Sequence, residues 1–283
     1  MPLVRQITAA MCLVLLIFSL TLRAADFTPN DLVAKHLQAI GSAAARSNVK
    51  SRVVQSGVTY RVLQGGSGAV DGKSVFASEG QNTNLLLKIN ANGFHGEQFI
   101  CDGKKTSVAG TYSDMTRSEF GNFVLAQDVV LRENLLGGIW SVDWPLYDVA
   151  DRKAKLHAEG TKKIDGKELL ALRYQPKKNT DLDIFLYFDP QTFQHIMTIY
   201  DLNPSTSMAG GETAQAGKSN RHYRVEERFS DFRSADGLTL PNHYDLRYTI
   251  ETERGFTKSI EWEVKALNIS NNISIDPRSF QVK

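Results

Sequence analysis

From about residue 153 to residue 267, apolar side chains recur at every second position. Tyr244, Leu246, Tyr248 and Ile250 alternate with His243, Asp245, Arg247, Thr249 and Glu251. Phe256, Ile260, Trp262 and Val264 alternate with Thr257, Ser259, Glu261 and Glu263. Tyr223, Val225 and Phe229 alternate with Arg224, Glu226 and Arg228. Period-two alternation predicts strands with one face in water and one buried. A long sheet with a single apolar face needs a cover, and the nature of that cover is the functional question.

The first half carries further strands, expected over 53–63, 74–78, 84–89 and 95–101, with a Gly65-Gly66-Ser67-Gly68 loop after the first. Asn92-Gly93, Asp102-Gly103, Asp71-Gly72, Asp165-Gly166, Asp236-Gly237 and Arg254-Gly255 supply the positive φ that tight hairpins demand. Repeated hairpins make an antiparallel meander and exclude a parallel α/β fold. Helical spacing is rarer. Thr28-Pro29-Asn30-Asp31 opens a helix carrying Leu32, Val33, His36, Leu37 and Ile40, with Gly41 after it. A second short piece is expected over 42–49. Between the two runs of strands, Phe120, Phe123, Val124, Val129, Leu131, Leu135 and Leu136 mark a helical insert over about 115–137, stopped by Gly137-Gly138 and followed by a loop with Trp140 and Trp144-Pro145. Residues 203–220 are dense in Ser, Thr, Gly and Ala and are expected to form a mobile surface loop. The class is α+β, mainly antiparallel β, with about ten or eleven strands and two or three short helices.

The N-terminus changes the picture. Arg5, an apolar run from Ile7 to Leu22 and then Leu22-Arg23-Ala24-Ala25 have the layout of a secretory signal peptide, residues 1–24. An uncleaved membrane anchor is the less favoured alternative, because the run is nearly long enough to span. Cleavage leaves residues 25–283 as one domain, exported to the periplasm of a bacterial-type envelope. Lys+Arg then falls from 33 to 31 against 31 acids, so the mature chain is close to neutral. Neutrality argues against nucleic acid as a partner and against electrostatic docking on anionic membrane. Cys101 is the single mature cysteine, so no intrachain disulfide is available and the core alone must stabilise the domain.

Candidate chemistry is thin. Gly211 to Ser219 imitates a phosphate-binding loop, but five residues separate its glycines and a strand follows where a helix should begin. The six histidines show no metal-ligand spacing and read as lone surface residues. Cys101 reads as an inert buried thiol, and no Gly-x-Ser-x-Gly elbow exists. Asp181 with Asp183, and Glu261 with Glu263, are same-face acids of the usual solvated kind. Asn268 and Asn272 head glycan-acceptor triplets without consequence in such an envelope. No catalytic residue, metal site or cofactor is expected. The residues leave two readings of the apolar face open: a dry core, or an incompletely filled cavity for acyl chains stabilised by ~0.8 kcal/mol per buried CH₂.

Several stretches resemble the LolA/LolB-like periplasmic carriers. Phe99-Ile100-Cys101-Asp102-Gly103-Lys104-Lys105 is similar to that group's strand–Asp-Gly-Lys–strand hairpin, with Leu85-Leu86-Leu87-Lys88 before it. Leu186-Tyr187-Phe188-Asp189-Pro190-Gln191-Thr192, Asp236-Gly237-Leu238-Thr239-Leu240-Pro241 and the closing Ile275-Asp276-Pro277-Arg278-Ser279-Phe280 resemble further parts of it. The resemblance implies an incomplete, half-open β-barrel with helices plugging its concave face. It implies a carrier of lipid or lipoprotein acyl chains towards the outer membrane, monomeric, and loaded and unloaded by envelope membrane proteins. Val58, Tyr60, Leu85, Leu87, Phe99, Leu172, Ile184, Leu186, Tyr244, Leu246, Tyr248 and Trp262 would line the cavity, with Leu32, His36, Leu37, Phe120 and Phe123 as its lid. Where carriers of this kind can hold the lid with an arginine, this chain has Lys88, which cannot make the bidentate fork. The superfamily also includes envelope-stress sensors, so the alternative is a non-transporting sensor or structural protein whose cavity is filled by its own helices and which binds a protein partner. A hydrolase with an unrecognised site is the remaining class.

Overall fold

The computed structural model describes residues 27–91, 94–111, 116–203, 221–252 and 254–282. The expected signal segment, the Asn92-Gly93 turn and all but Asn203 of the expected mobile loop lie outside them. Two short helices, α1 (Pro29–Ile40) and α2 (Ala43–Asn48), lead into strands β1 (Ser51–Gln64), β2 (Ala69–Glu79), β3 (Asn82–Ala91), β4 (Phe94–Asp102) and β5 (Thr106–Gly110). Three more helices follow, α3 (Glu119–Ala126), α4 (Val129–Arg132) and α5 (Val149–Arg152), with single 3₁₀ turns at Gly138–Trp140 and Pro145–Tyr147 between the last two. The chain then returns to strands: β6 (Lys155–Ile164), β7 (Lys167–Gln175), β8 (Asp183–Phe188), β9 (His195–Leu202), β10 (Arg221–Ala235), β11 (Leu238–Thr252) and β12 (Thr257–Asn271).

All twelve strands form one antiparallel sheet in the order β5-β4-β3-β2-β1-β12-β11-β10-β9-β8-β7-β6. The two meanders join where β1 pairs with β12, and the sheet does not close between β5 and β6. The result is an incomplete, half-open barrel with short helices on its concave face. The described residues hold twelve strands and five short α-helices, against about ten or eleven strands and two or three helices expected. β5 has only five residues, too few to display alternation. The insert breaks at Gln127 and Asp128 into α3 and α4, and beyond Gly137 it continues as turns.

Local chemistry explains the element ends. The Thr28 hydroxyl accepts from the Asp31 amide and donates to its carboxylate at 2.7 Å, while Pro29 holds the first helical position. Asp165-Gly166 and Asp236-Gly237 both take positive φ at their hairpin tips, as expected. Asp71-Gly72 is a correction, since it lies inside β2 and turns nothing. A Cβ at Gly72 would stand 2.1 Å from the Lys88 carbonyl oxygen, so close strand approach accounts for this glycine.

The core is one cluster joining the inward residues of both meanders to the helices and the insert. The convex face across β1, β12, β11 and β10 carries ion pairs such as Arg61–Glu263 at 2.5 Å, Arg247–Glu261 at 2.7 Å and Arg224–Glu226 at 2.8 Å.

Candidate functional site

The concave face is the candidate site, and the twelve residues expected to line it come together there. Eleven are buried in the main core cluster, and Tyr60, partly buried, packs against it. The five expected lid residues also lie on this face, on two different helices. Leu32, His36 and Leu37 belong to α1, while Phe120 and Phe123 belong to α3.

Residues 129–147 fill the lower part of the hollow, and polar groups hold them to the sheet. Buried Arg52 on β1 donates to the carbonyl oxygens of Ile139 and Trp140 at 2.7 and 3.3 Å, and to Asn271 Oδ1 at 2.9 Å. Burial pulls its guanidinium down to about 10, which leaves it charged at neutral pH. The fully buried Trp140 indole donates to the Pro241 carbonyl at 2.9 Å, between Phe76 and Tyr244. The Val142 amide donates to Ser78 Oγ at 3.1 Å, and Thr83 Oγ1 donates to Asn134 Oδ1 at 3.1 Å. Arg52 on β1 is thus a basic residue that grips the cover, two strands away from Lys88, which is exposed on β3.

Glu227 completes this grip. It is fully buried on β10 and accepts from the Gly137 amide at 2.7 Å and from the hydroxyls of Tyr244 and Tyr200. Burial pushes its carboxyl up to about 7, with the three donors pulling the other way. The expectation that the histidines are lone surface residues is corrected for two of them. His36 and His195 are fully buried with ring centroids 6.1 Å apart. His36 Nδ1 donates to the Phe193 carbonyl at 3.0 Å, and its Nε2 accepts from the Trp144 indole at 3.2 Å. Burial pulls His36 down to about 4 and His195 well below its ordinary value, which favours the neutral ring of both at neutral pH. Through His36, α1 is tied to the plug and belongs with it.

Helix α3 is held differently. Its inner face is Phe120, Gly121, Phe123 and Val124. Phe120, with no exposed surface, packs on Phe99, Tyr248 and Trp262, and Phe123 packs on Tyr223 and Tyr248. Polar attachment is concentrated at the N-terminal end. The buried Glu97 carboxylate accepts from the Ser118 amide and hydroxyl at 2.6 and 2.7 Å, and an exposed Lys258–Glu119 pair spans 2.5 Å. Burial raises the Glu97 carboxyl above its usual range. Two openings flank the helix. One of about 300 Å³ is walled by Phe123, Leu202, Tyr223, Tyr248 and Ile250. The other, about 240 Å³, has a mixed wall, with Tyr60, Phe94, Tyr248 and Ile260 beside Arg117, Glu119 and Lys258. Tyr248 borders both. A separate cavity of about 410 Å³ lies where Leu37, Arg46 and Val49 face Val142 and Tyr147.

Among the described residues no three His, Cys, Asp or Glu side chains are grouped to hold a metal, and no helix is long and apolar enough to cross a membrane. Cys101 is buried, and burial raises its thiol. The arrangement can enclose apolar groups and can exchange protons with its buried Glu227.

No family model and no curated protein matches the sequence. Among solved structures the chain is similar to a LolA superfamily protein from Nitrosomonas europaea, with 13% identity over 91% of this chain and 99% of that one and a TM-score of 0.47. It is also similar to the MucA/MucB complex of Pseudomonas aeruginosa, with 12% identity over 86% of this chain and 100% of that one and a TM-score of 0.25. A crystal structure of MucB shows 13% identity over 84% and 92%, with a TM-score of 0.26. The structures to which this chain is similar thus include a member of the superfamily whose motifs its sequence resembles.

Proposed function

We propose that the chain is a periplasmic binding protein, without a catalytic role, that takes an acyl chain of a lipid or lipoprotein in the place occupied by helix α3 and carries it towards the outer membrane. The observation that supports this reading is the contrast between the two parts of the cover. Residues 129–147 sit on buried hydrogen bonds whose loss leaves orphaned polar groups at about 1–3 kcal/mol each. Along α3 the contacts are apolar, apart from the Glu97 bonds to Ser118 at its N-cap and the long Tyr248 hydroxyl bond to the Glu119 carbonyl at 3.4 Å. An apolar guest can replace the contacts of Phe120, Phe123 and Val124 while the N-cap bonds of Ser118 to the buried Glu97 stay in place.

Magnitudes then select the guest. Exposing Phe120, Phe123 and Val124 costs about 1.5–3 kcal/mol each, so roughly 6 kcal/mol in all. At ~0.8 kcal/mol per buried CH₂, a chain of about eight methylenes offsets that cost and shorter chains fail. Palmitoyl lipid added to the mature protein is therefore expected to raise the melting temperature and perturb the fluorescence of Trp262, while hexanoyl lipid leaves both unchanged. Absence of any response to either chain, together with no lipid released on denaturing protein purified from its native envelope, would sink the acyl reading.

One observation favours a second reading. Among the described residues, 129–147 occupy much of the hollow, which leaves less room for a large lipid. In that reading the chain is a non-transporting envelope sensor or structural protein, and the mouth beside Tyr248 receives an apolar side chain of a protein partner. The same lipid titration separates the two.

A further inference from the structure

The convex face is not polar throughout. Where β10 to β12 and β1 carry ion pairs, the outward positions of β7, β8 and β9 are Leu169, Ala171, Tyr187, Met197 and Ile199, a second apolar cluster separate from the main core. At one end of it, between the β6–β7 hairpin, the β8–β9 turn and β10, a groove of about 390 Å³ opens to solvent. Leu169, Ile196, Met197 and Phe232 give it an apolar floor. Its rim carries four acids, Asp165, Asp189, Asp231 and Asp245, against two bases, Lys167 and Arg228.

With Arg233, which pairs with Asp231 at 2.7 Å from beside the groove, the four acids still outnumber the bases, and Arg228 is shared. Arg228 pairs with Asp165 at 2.6 Å and with Glu226 at 3.2 Å, so one guanidinium serves two carboxylates. Asp245 is pushed above its usual range by burial and by the nearby Glu261 and Glu263, against the pull of His243 at 3.0 Å. An anionic guest, including a lipid headgroup, would add to this repulsion, whereas a cation would relieve it. The volume suits a few side chains and is too small for a folded domain.

We propose that this groove docks an extended segment of a partner polypeptide, with a large apolar side chain on the Leu169–Met197 floor and flanking lysine or arginine on the aspartate rim. The site is separate from the mouth at α3 and does not depend on the acyl reading.

A synthetic heptapeptide Lys-Lys-Leu-Phe-Leu-Lys-Lys, capped at both ends, is the probe, titrated calorimetrically into the mature protein at low salt. Two control peptides replace its lysines by glutamate or its apolar residues by serine. Saturable binding of the first peptide alone is expected, with weakening at high salt. Ile196→Asp and Asp231→Lys are each expected to weaken it by about tenfold, while the response to palmitoyl lipid is retained. Circular dichroism checks folding, and should Ile196→Asp misfold, Asp231→Lys decides alone. Equal binding of the serine peptide would reduce the effect to ionic attraction and overturn the proposal. So would no binding of any peptide, or binding that the folded variants leave unchanged.

Discussion

Trp140→Ala is expected to lower the unfolding free energy by about 4 kcal/mol, the largest loss from any single side chain in the insert. Trp140 has no exposed surface and stands edge-on to Tyr244 with ring centroids 5.2 Å apart. Truncation removes a large apolar area, leaves a cavity between β2 and β11, and orphans the Pro241 carbonyl, which receives the indole hydrogen. Collapse into that cavity is opposed on both sides. Gly137 places its backbone where even a Cβ would come within 2.7 Å of the Phe76 ring, and Arg52 fixes the carbonyls of the peptides on either side of the Trp140 α-carbon. Trp140→Phe keeps most of the area and is expected to recover more than half of the loss. Urea unfolding measures both variants. Native-state hydrogen exchange adds a local readout: the Gly137 and Val142 amides, bonded to Glu227 and Ser78, should exchange at the rate of global unfolding in the parent chain. If those amides exchange as readily as the α3 amides, the plug is not the fixed part of the cover, and the contrast behind the acyl reading is lost.

The strands and their inward faces were legible because alternation is a direct record of burial. Tyr244 to Ile250 and Ile260 to Val264 keep their parity through β11 and β12, and the register pairs Leu246 with Trp262 and Tyr248 with Ile260. The short β5 was not legible, nor was the break between α3 and α4, because each is shorter than the period needed to reveal it. The anchoring residues carried a signal that hydrophobicity alone hides. Glu227 occupies the inward parity between Val225 and Phe229, Arg52 that of Val54 and Val58, and Glu97 that of Phe99. A charge at an inward position of an amphipathic strand must be paired or hydrogen-bonded, and all three turn out to hold the insert or its approach. What they bond to could not be read, because Gly137, Ile139 and Ser118 use backbone groups that any sequence supplies. The His36–His195 contact joins residues far apart in the chain that lone spacing could not connect. The sequence resemblance pointed to a half-open barrel with a helical plug and was silent on which part of the plug is fixed.

Glu227→Gln is expected to change the pH dependence of stability by about 3 kcal/mol, because a glutamine keeps the shape and cannot ionise. Burial raises the Glu227 carboxyl from 4.5 to about 7. A raised acid contributes stability that is full below its unfolded value and is lost as pH rises through the folded one, so the parent chain loses this contribution between pH 4.5 and about 7. His36 works in the opposite sense. It is lowered from 6.5 to about 4, so its contribution is present above pH 6.5 and lost as pH falls through about 4. His195, lowered by burial and by His36, adds to the same side. In the parent chain Glu227 therefore masks part of the gain that the two histidines give as acid is removed. Glu227→Gln unmasks it, giving a steeper rise in stability from about pH 4.5 to about pH 7 and a variant more stable than its parent above that range relative to their difference in acid. Urea unfolding of both proteins at several pH values tests this without reference to the many exposed groups, which cancel in the difference. A difference that stays constant across the range would mean that Glu227 does not take up its proton within it. The Gly137 amide then gives the structural consequence: because its acceptor Oε1 persists in either protonation state, the plug stays docked while the carboxyl titrates, and its exchange should follow global stability at every pH.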